Sequence, residues 1–300
     1  MKILIAGSSG LVGRALRPEL SAAGHAVFQL VRPPQIPGKG QISWNPETGE
    51  LNRHAAAGAD AVVNLAGASI GEQRWSERHK ELLRRSRIDS TRALVEAIGK
   101  HKPRPRVLVS ASAVGYYGNR GDEELDEDSG PGEGYLAQLV VDWEAESLRA
   151  EELGIRTVLF RFGLILSARG GGLGQMVGPF RLGFGGRLGS GRQWMTWLAL
   201  ADAVGMVRAA LEDEKWRGAY NAVAPQAVTN LEFTKALGHV LRRPTLLPVP
   251  IFVLRMIFGE MADEMILASQ RARSKRLAET GYTYRYPELE PALREAITHS

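Results

Sequence analysis

The stretch KILIAGSSGLVG, residues 2–13, sets Gly7, Gly10 and Gly13 in GxxGxxG spacing directly after a short apolar run. A helical pattern, LVGRALRPELSAAG, begins inside the motif and closes on Gly24. A strand, a glycine turn and a helix in that order predict the first βα unit of a dinucleotide-binding fold. The first glycine permits the tight turn. The second lets a pyrophosphate approach the backbone, and the third lets helix and strand pack closely. The start of the helix then offers free N–H groups and the positive end of its dipole to phosphate.

The same alternation continues outward. HAVFQLVR and DAVVNLAG read as strands, ERHKELLRRSRIDSTRALVEAIGKH as a long helix, and PRVLVSASAVGYYG as a strand running into a loop. YLAQLVVDWEAESLRAEELG is helical and IRTVLFRFGLIL strand-like. This predicts an α/β fold: a Rossmann-type, doubly wound parallel sheet covered by helices on both faces. After Leu166 the texture changes. ARGGGLGQMVGPFRLGFGGRLGSGR carries ten glycines from Gly170 to Gly191, without the GK[ST] ending of a P-loop. It reads either as a shaped loop over a pocket or as a plain flexible connection. LEFTKALGHVLRR and DEMILASQRARSKRLAETG read as helices, and PIFVLRMIFG as core of a C-terminal unit or as a dimer face. The expected division is a cofactor-binding domain over 1–168 plus about 198–224. A smaller mixed α/β substrate-side domain then takes 169–197 and 225–300.

The second strand ends at LVRPP, where an NAD binder usually carries Asp or Glu for the ribose hydroxyls. Here Arg32 stands nineteen residues beyond Gly13. A guanidinium at that place suits a 2′-phosphate, so NADP(H) is favoured over NAD.

Composition narrows the classes. The 300 residues contain no cysteine, which removes disulfides, thiolate nucleophiles and cysteine metal sites and suits a reducing compartment. The six histidines show no ligand spacing, so no metal is expected. No apolar run reaches the roughly 20 residues of a membrane span. The net charge of +5 rests mostly on arginine, which suits an anionic small-molecule ligand. Nucleic acid is the weaker reading. The one basic cluster, RHKELLRRSR, has helical spacing, and DEELDED (122–128) is acidic. The expectation is a cytoplasmic monomer or homodimer that binds a small molecule, neither nucleic acid nor membrane.

AGSSGLVG, NLAG (64–67), SASAVGYYG (110–118) and FRFGLIL (160–166) together resemble the extended short-chain dehydrogenase/reductases, which include nucleotide-sugar epimerases and dehydratases. YYG, DWE, RGGG, PFRLGFGG, GSGRQWMTW and TGYTYRYPEL look like the atypical branch labelled epimerase family protein, with a C-terminal domain of unknown function. The resemblance implies roles for particular residues. Gly7, Ser9, Gly10, Leu11 and Val12 would line the pyrophosphate and Arg32 would meet the 2′-phosphate. Leu65, Ala66 and Gly67 would pass under the adenine-side ribose. Arg87 falls where many relatives have an asparagine near the cofactor. Ser110, Ala111 and Ser112 would lie beside the nicotinamide, with Gly163, Leu164 and Ile165 near the carboxamide.

Active relatives combine a serine, a tyrosine and a lysine four residues after the tyrosine. Ser112 matches the serine and Tyr135 the tyrosine, but Leu139 stands where the lysine belongs, and no lysine occurs between Lys102 and Lys215. A free tyrosine titrates near pH ~10, so without a cation Tyr135 is a poor base, although a neutral tyrosine can still donate a proton in a reduction. Tyr116, Tyr117 and Glu144 are further candidates for the pocket, and Arg181, Arg187 and Arg192 for an anionic substrate. These residues predict an NADP-dependent reductase of a small carbonyl or a phosphorylated or nucleotide-linked substrate. A non-catalytic NADPH sensor or scaffold is the alternative, and a nucleotide-sugar epimerase ranks third.

Overall fold

The computed structural model describes residues 1–298. Seven parallel strands form the main sheet: β1 (Lys2–Ala6), β2 (Ala26–Val31), β3 (Gln41–Asn45), β4 (Ala61–Asn64), β5 (Val107–Ala113), β6 (Arg156–Phe162) and β7 (Gly218–Ala222). They lie in the order 3-2-1-4-5-6-7, and Glu50–Leu51 adds a short antiparallel edge beside β3. The order reverses between β1 and β4, and ligands of such sheets bind in the crevice outside the strand ends at that switch point.

The period of two along each strand explains the double winding. Ile3, Ile5, Val63 and Val109 face one core with Leu16 and Leu20 of α1 (Leu11–Ala22) and Val204, Val207 and Leu211 of α6 (Leu200–Glu212). Leu4, Ala6, Val62 and Leu108 face the other core, with Leu94, Val95 and Ile98 of α3 (Ser90–Gly99) and Ala150 of α4 (Tyr135–Glu152). The long helix ahead of β5 is interrupted. α2 (Glu77–Arg84) passes through a π-turn over Arg85–Asp89 before α3 begins.

A third core joins α5 (Gly171–Arg181), α7 (Asn230–Leu241) and α9 (Leu289–Thr298) around Leu173, Val177, Phe180, Phe233, Leu237 and Leu293. Here the structure departs from expectation. The glycine-dense segment is not all loop, because Leu173, Val177 and Phe180 fall on one helix face and bury together. That burial outweighs the helix-breaking tendency of the glycines, about 1 kcal/mol each. DEMILASQRARSKRLAETG is not one helix either. It makes a π-turn at Ala262–Ile266, a short strand at Arg271–Ala272 and a helix at Lys275–Thr280. The short strand pairs with Glu124–Leu125, and that pairing competes with helix continuation. The segment PIFVLRMIFG forms α8 (Ile251–Phe258), but only Leu254 is fully buried, while Phe252, Met256 and Ile257 are exposed. It is not core among the described residues. No helix among them is long and apolar enough to cross a membrane.

Candidate functional site

The glycine turn sits at the switch point. Gly7 has φ +76°, and a Cβ there would lie 2.4 Å from the Leu65 carbonyl oxygen at the end of β4. A Cβ on Gly13 would meet the Gly7 oxygen at 2.5 Å, so α1 packs onto the turn only without a side chain. Gly10 caps α1 with no side-chain hydrogen bond, and the first turn of α1 holds no acid. Ser9 and Gly10 are exposed, and Leu11 and Val12 are half-buried. The N–H groups at this end therefore have neither a capping oxygen nor a repelling carboxylate, and the turn fits a phosphate group. Arg32 follows β2 directly and is exposed, with no acid from Arg32 to Gln41. Leu65, Ala66 and Gly67 leave β4 beside the turn, and Gly163, Leu164 and Ile165 leave β6 at the same edge of the sheet.

Ser110, Ala111 and Ser112 all lie within β5. Ser110 joins a buried polar chain. Asn64 donates to Thr91 at 2.9 Å and to Ser110 at 3.4 Å, the Trp143 indole donates to Thr91 at 3.0 Å, and Ser147 donates to Ser110 at 3.0 Å. Ser112 stands in register with Arg161 of β6, and its hydroxyl donates to Glu144 Oε1 at 2.5 Å. Arg161 clasps both oxygens of Glu144 at 2.8 Å, donates to the Tyr117 hydroxyl at 3.0 Å and lies 3.5 Å from the Tyr116 ring centroid. Tyr117 OH also lies 2.8 Å from the Asp126 carbonyl and from Asn221 Oδ1. Burial pushes the Tyr117 hydroxyl up to about 12 against the opposing pull of Arg161. Burial disfavours the Arg161 charge, but its bonds to Glu144 outweigh this and hold the guanidinium above its ordinary value. Ser112, Tyr116, Tyr117 and Glu144 thus belong to one network closed by Arg161.

Tyr135 opens α4 away from this network. Its hydroxyl donates to the Lys80 carbonyl at 2.8 Å, and its ring meets Trp75 edge-on at 5.4 Å. Leu139 is buried with Leu83, Ile88, Leu136 and Trp143, an apolar setting in which a lysine ammonium would have no partner. A lysine nevertheless reaches Tyr135 from α2. Lys80 Nζ stands 5.1 Å above the ring, ion-paired with Glu260 at 2.5 Å. Arg87, in the π-turn, is buried, stacks 5.4 Å over Trp143 and donates to the Ala68 carbonyl at 3.0 Å. A Cβ on Gly67 would lie 3.2 Å from its guanidinium carbon. Burial lowers Arg87 to about 10, opposed by its attraction to Tyr135. Burial raises the Tyr135 hydroxyl above its ordinary value, with Arg87 and then Lys80 pulling the other way. Tyr135 is therefore neutral at neutral pH.

Arg181 and Arg192 are exposed, and Arg187 is spent on the carbonyls of Gly189 and Ser190 at 2.8 and 2.9 Å. Arg161, Asn221 and Lys80 were not singled out from the sequence. Arg161 did leave a signal, because a cation inside the apolar strand TVLFRFG requires a buried anion. Among the described residues no group of three or more His, Asp or Glu is placed to hold a metal ion.

Residues 3–222 match the model of the NAD dependent epimerase/dehydratase family, and residues 249–296 match a domain of unknown function, DUF1731. The chain is 44% identical over 297 residues to the Mycobacterium bovis epimerase family protein Mb2239, covering 99% of this chain and 97% of that protein. It superposes on the crystal structure of human epimerase family protein SDR39U1, determined with NADPH, at a TM-score of 0.90. The identity is 36%, with both chains fully covered. A nucleoside-diphosphate sugar epimerase structure from Corynebacterium glutamicum gives 0.82 at 34% identity, over all of this chain and 58% of that one. By sequence along its length and by the order of its strands, the chain belongs to the NAD dependent epimerase/dehydratase family, in the branch of epimerase family proteins that carry the C-terminal domain of unknown function.

Proposed function

We propose that this chain binds NADP(H) and uses it to reduce the carbonyl of a small substrate, anionic or nucleotide-linked. The observation that carries the cofactor assignment is the uncapped, acid-free start of α1 on a side-chain-free turn, with Arg32 in place of an acid at the end of β2. The relative crystallised with NADPH supports the same choice. Gly7, Ser9, Gly10, Leu11, Val12 and Gly13 hold the pyrophosphate, and Arg32 holds the 2′-phosphate. Leu65, Ala66, Gly67, Ser110, Ala111, Gly163, Leu164 and Ile165 flank the rest of the cofactor.

When bound, the reduced nicotinamide supplies hydride; the protein supplies the proton and the orientation. Tyr135 is protonated at neutral pH, which suits an acid and not a base. Its O–H is now donated to the Lys80 carbonyl, so a substrate oxygen must displace that bond. Epimerisation needs a working base as well as hydride return, and a tyrosine with a raised pKa serves it poorly. The reducing compartment suggested by the lack of cysteine is the cytoplasm.

One observation favours a second reading, an NADPH sensor or scaffold without turnover: the hydroxyls of Ser112 and Tyr135 both already donate to protein acceptors. Fluorescence titration with NADPH and NADH, repeated with a panel of carbonyl substrates while cofactor consumption is followed, separates the two. Tight NADPH binding with turnover that Tyr135→Phe abolishes supports the reductase. Tight binding with no turnover supports the sensor, and weak binding of both cofactors removes the assignment.

A further inference from the structure

We propose that the face formed by α8 and the turn after α5 docks on the surface of an anionic lipid bilayer. The inference is independent of the cofactor reading and concerns a part of the molecule which that reading leaves unused.

Two chain segments build the face side by side. Arg243 Nε donates to the Arg181 carbonyl at 2.8 Å, a Cβ on Gly186 would overlap the Leu247 carbonyl, and Leu188 and Val249 form a parallel bridge. These three ties bring Leu182 and Phe184 beside Leu246 and Leu247. A Cβ on Gly189 would lie 2.9 Å from Ile251 Cγ1, so the same strip runs on into α8. There Phe252 and Met256 stand four residues apart on one helix face, with Ile257 next to them, and Leu254 alone is fully buried. Leu182, Phe184, Leu246 and Phe252 are 67–85% exposed. Monomers rarely leave bare a contiguous apolar patch of more than a few hundred Å², and one that does so marks a contact surface.

Shape and charge choose the occupant. Side chains this exposed stand out from the surface instead of lining a groove, so they offer no socket for a peptide helix or strand. Protruding apolar tips suit a fluid interface that they can enter. The charge around them has one sign. Arg181, Arg242 and Arg243 are exposed where α5 and α7 finish, and neither 153–201 nor 233–259 contains an acid. The cation on α8, Arg255, is already paired with Asp263 at 2.9 Å. Cations beside exposed apolar side chains match anionic headgroups over a hydrocarbon layer. A two-fold contact between copies would bring the same arginines together with no acid in either segment to answer them, which opposes a dimer through this face. No helix among the described residues is long and apolar enough to cross a bilayer, so the contact is with the surface of one leaflet.

The full chain is sedimented with vesicles of phosphatidylcholine alone, and of phosphatidylcholine mixed equally with phosphatidylglycerol, at low and at high salt. The expected result is binding to the anionic vesicles, little to the neutral ones, and weakening by salt. Phe184→Ser with Phe252→Ser removes two apolar tips. Arg181→Gln with Arg242→Asn removes two charges, asparagine being chosen because residue 242 has φ +55°. All four positions are exposed, so both variants should melt with the wild type. Each should bind anionic vesicles about tenfold more weakly, or worse. A wild-type chain that stays in solution with anionic vesicles, or binding that either variant retains, overturns the inference. Equal binding to neutral vesicles overturns it as well. Sedimentation velocity without lipid covers the other occupants: a dimer that Phe184→Ser with Phe252→Ser dissociates assigns the face to a second copy, and binding to polyglutamate in place of vesicles assigns it to an acidic protein.

Discussion

Arg161 and Arg87 are both buried arginines near tyrosines, yet the fold treats them in opposite ways. Arg161 is 5% exposed and spends its charge on a bidentate carboxylate, with a tyrosine ring on its face and a tyrosine hydroxyl at its edge. Arg87 is 8% exposed and has only two backbone carbonyls and an indole face. The first arrangement is complete, and it locks β5, β6 and α4 together. The second has no carboxylate partner among the described residues and packs against Gly67, where the cofactor reading puts a ligand. A closed charge network holds a site in shape; an open charge is available to act in it.

The largest effect expected from this contrast is on stability. Glu144→Ala leaves the Arg161 charge buried and alone, and is expected to cost about 3–5 kcal/mol in urea denaturation. The joint change Glu144→Leu with Arg161→Met should cost less than Glu144→Ala alone, since no charge is stranded. A loss below about 1 kcal/mol for Glu144→Ala would break the comparison.

Alkaline pH probes the same network. The Tyr117 hydroxyl is raised to about 12, so between pH about 10 and 12 the unfolded chain releases a proton that the folded chain keeps. Its contribution is fully present below pH about 10 and is lost as pH rises toward 12, on the order of 2–3 kcal/mol. Tyr282 and Tyr284 are raised by burial as well and add to the slope. Stability curves taken from pH 8 upward should be shallower for Tyr117→Phe than for wild type. Parallel curves would mean that this hydroxyl does not titrate with unfolding.

A third arginine sharpens the contrast from the solvent side. Arg32 is exposed, so Arg32→Glu should leave the melting temperature nearly unchanged. Paired binding titrations should nevertheless show the preference for NADPH over NADH falling tenfold or more, about 1.4 kcal/mol. A preference that survives removes Arg32 from the cofactor site. Among the buried charges, the smaller stability effect is expected at the unpaired one. Arg87→Met removes an unpaired buried cation and keeps its bulk, so folding should change by about 1 kcal/mol or less. A loss comparable to that of Glu144→Ala would show that Arg87 is as structural as Arg161.

What was legible in the sequence was local. The apolar run of β1, the glycines at 7, 10 and 13 and the cation at 32 all fall within one βαβ unit, and run length, spacing and turn chemistry encode them directly. The same holds for the absence of a lysine after Tyr135. The helix inside the glycine-dense segment was not legible, because its glycines argue against helix, and only the shared core with α7 and α9 overrides them. The exposure of α8 was hidden too, since an apolar run looks the same whether covered or bare.

Sequence alone thus determined the glycine turn that opens the sheet, the arginine that follows the second strand, and the missing helix partner of Tyr135. Only the tertiary structure decided that Ser112 points its proton at Glu144, that Arg161 closes that pair, and that Arg87 enters between Gly67 and Trp143. The physical reason is distance along the chain. Glu144 and Arg161 are brought together by a helix packing on a strand, and Arg87 and Trp143 by a π-turn against another helix. No period or spacing rule reaches across such separations, and the charges meet only once the cores on both faces of the sheet have formed.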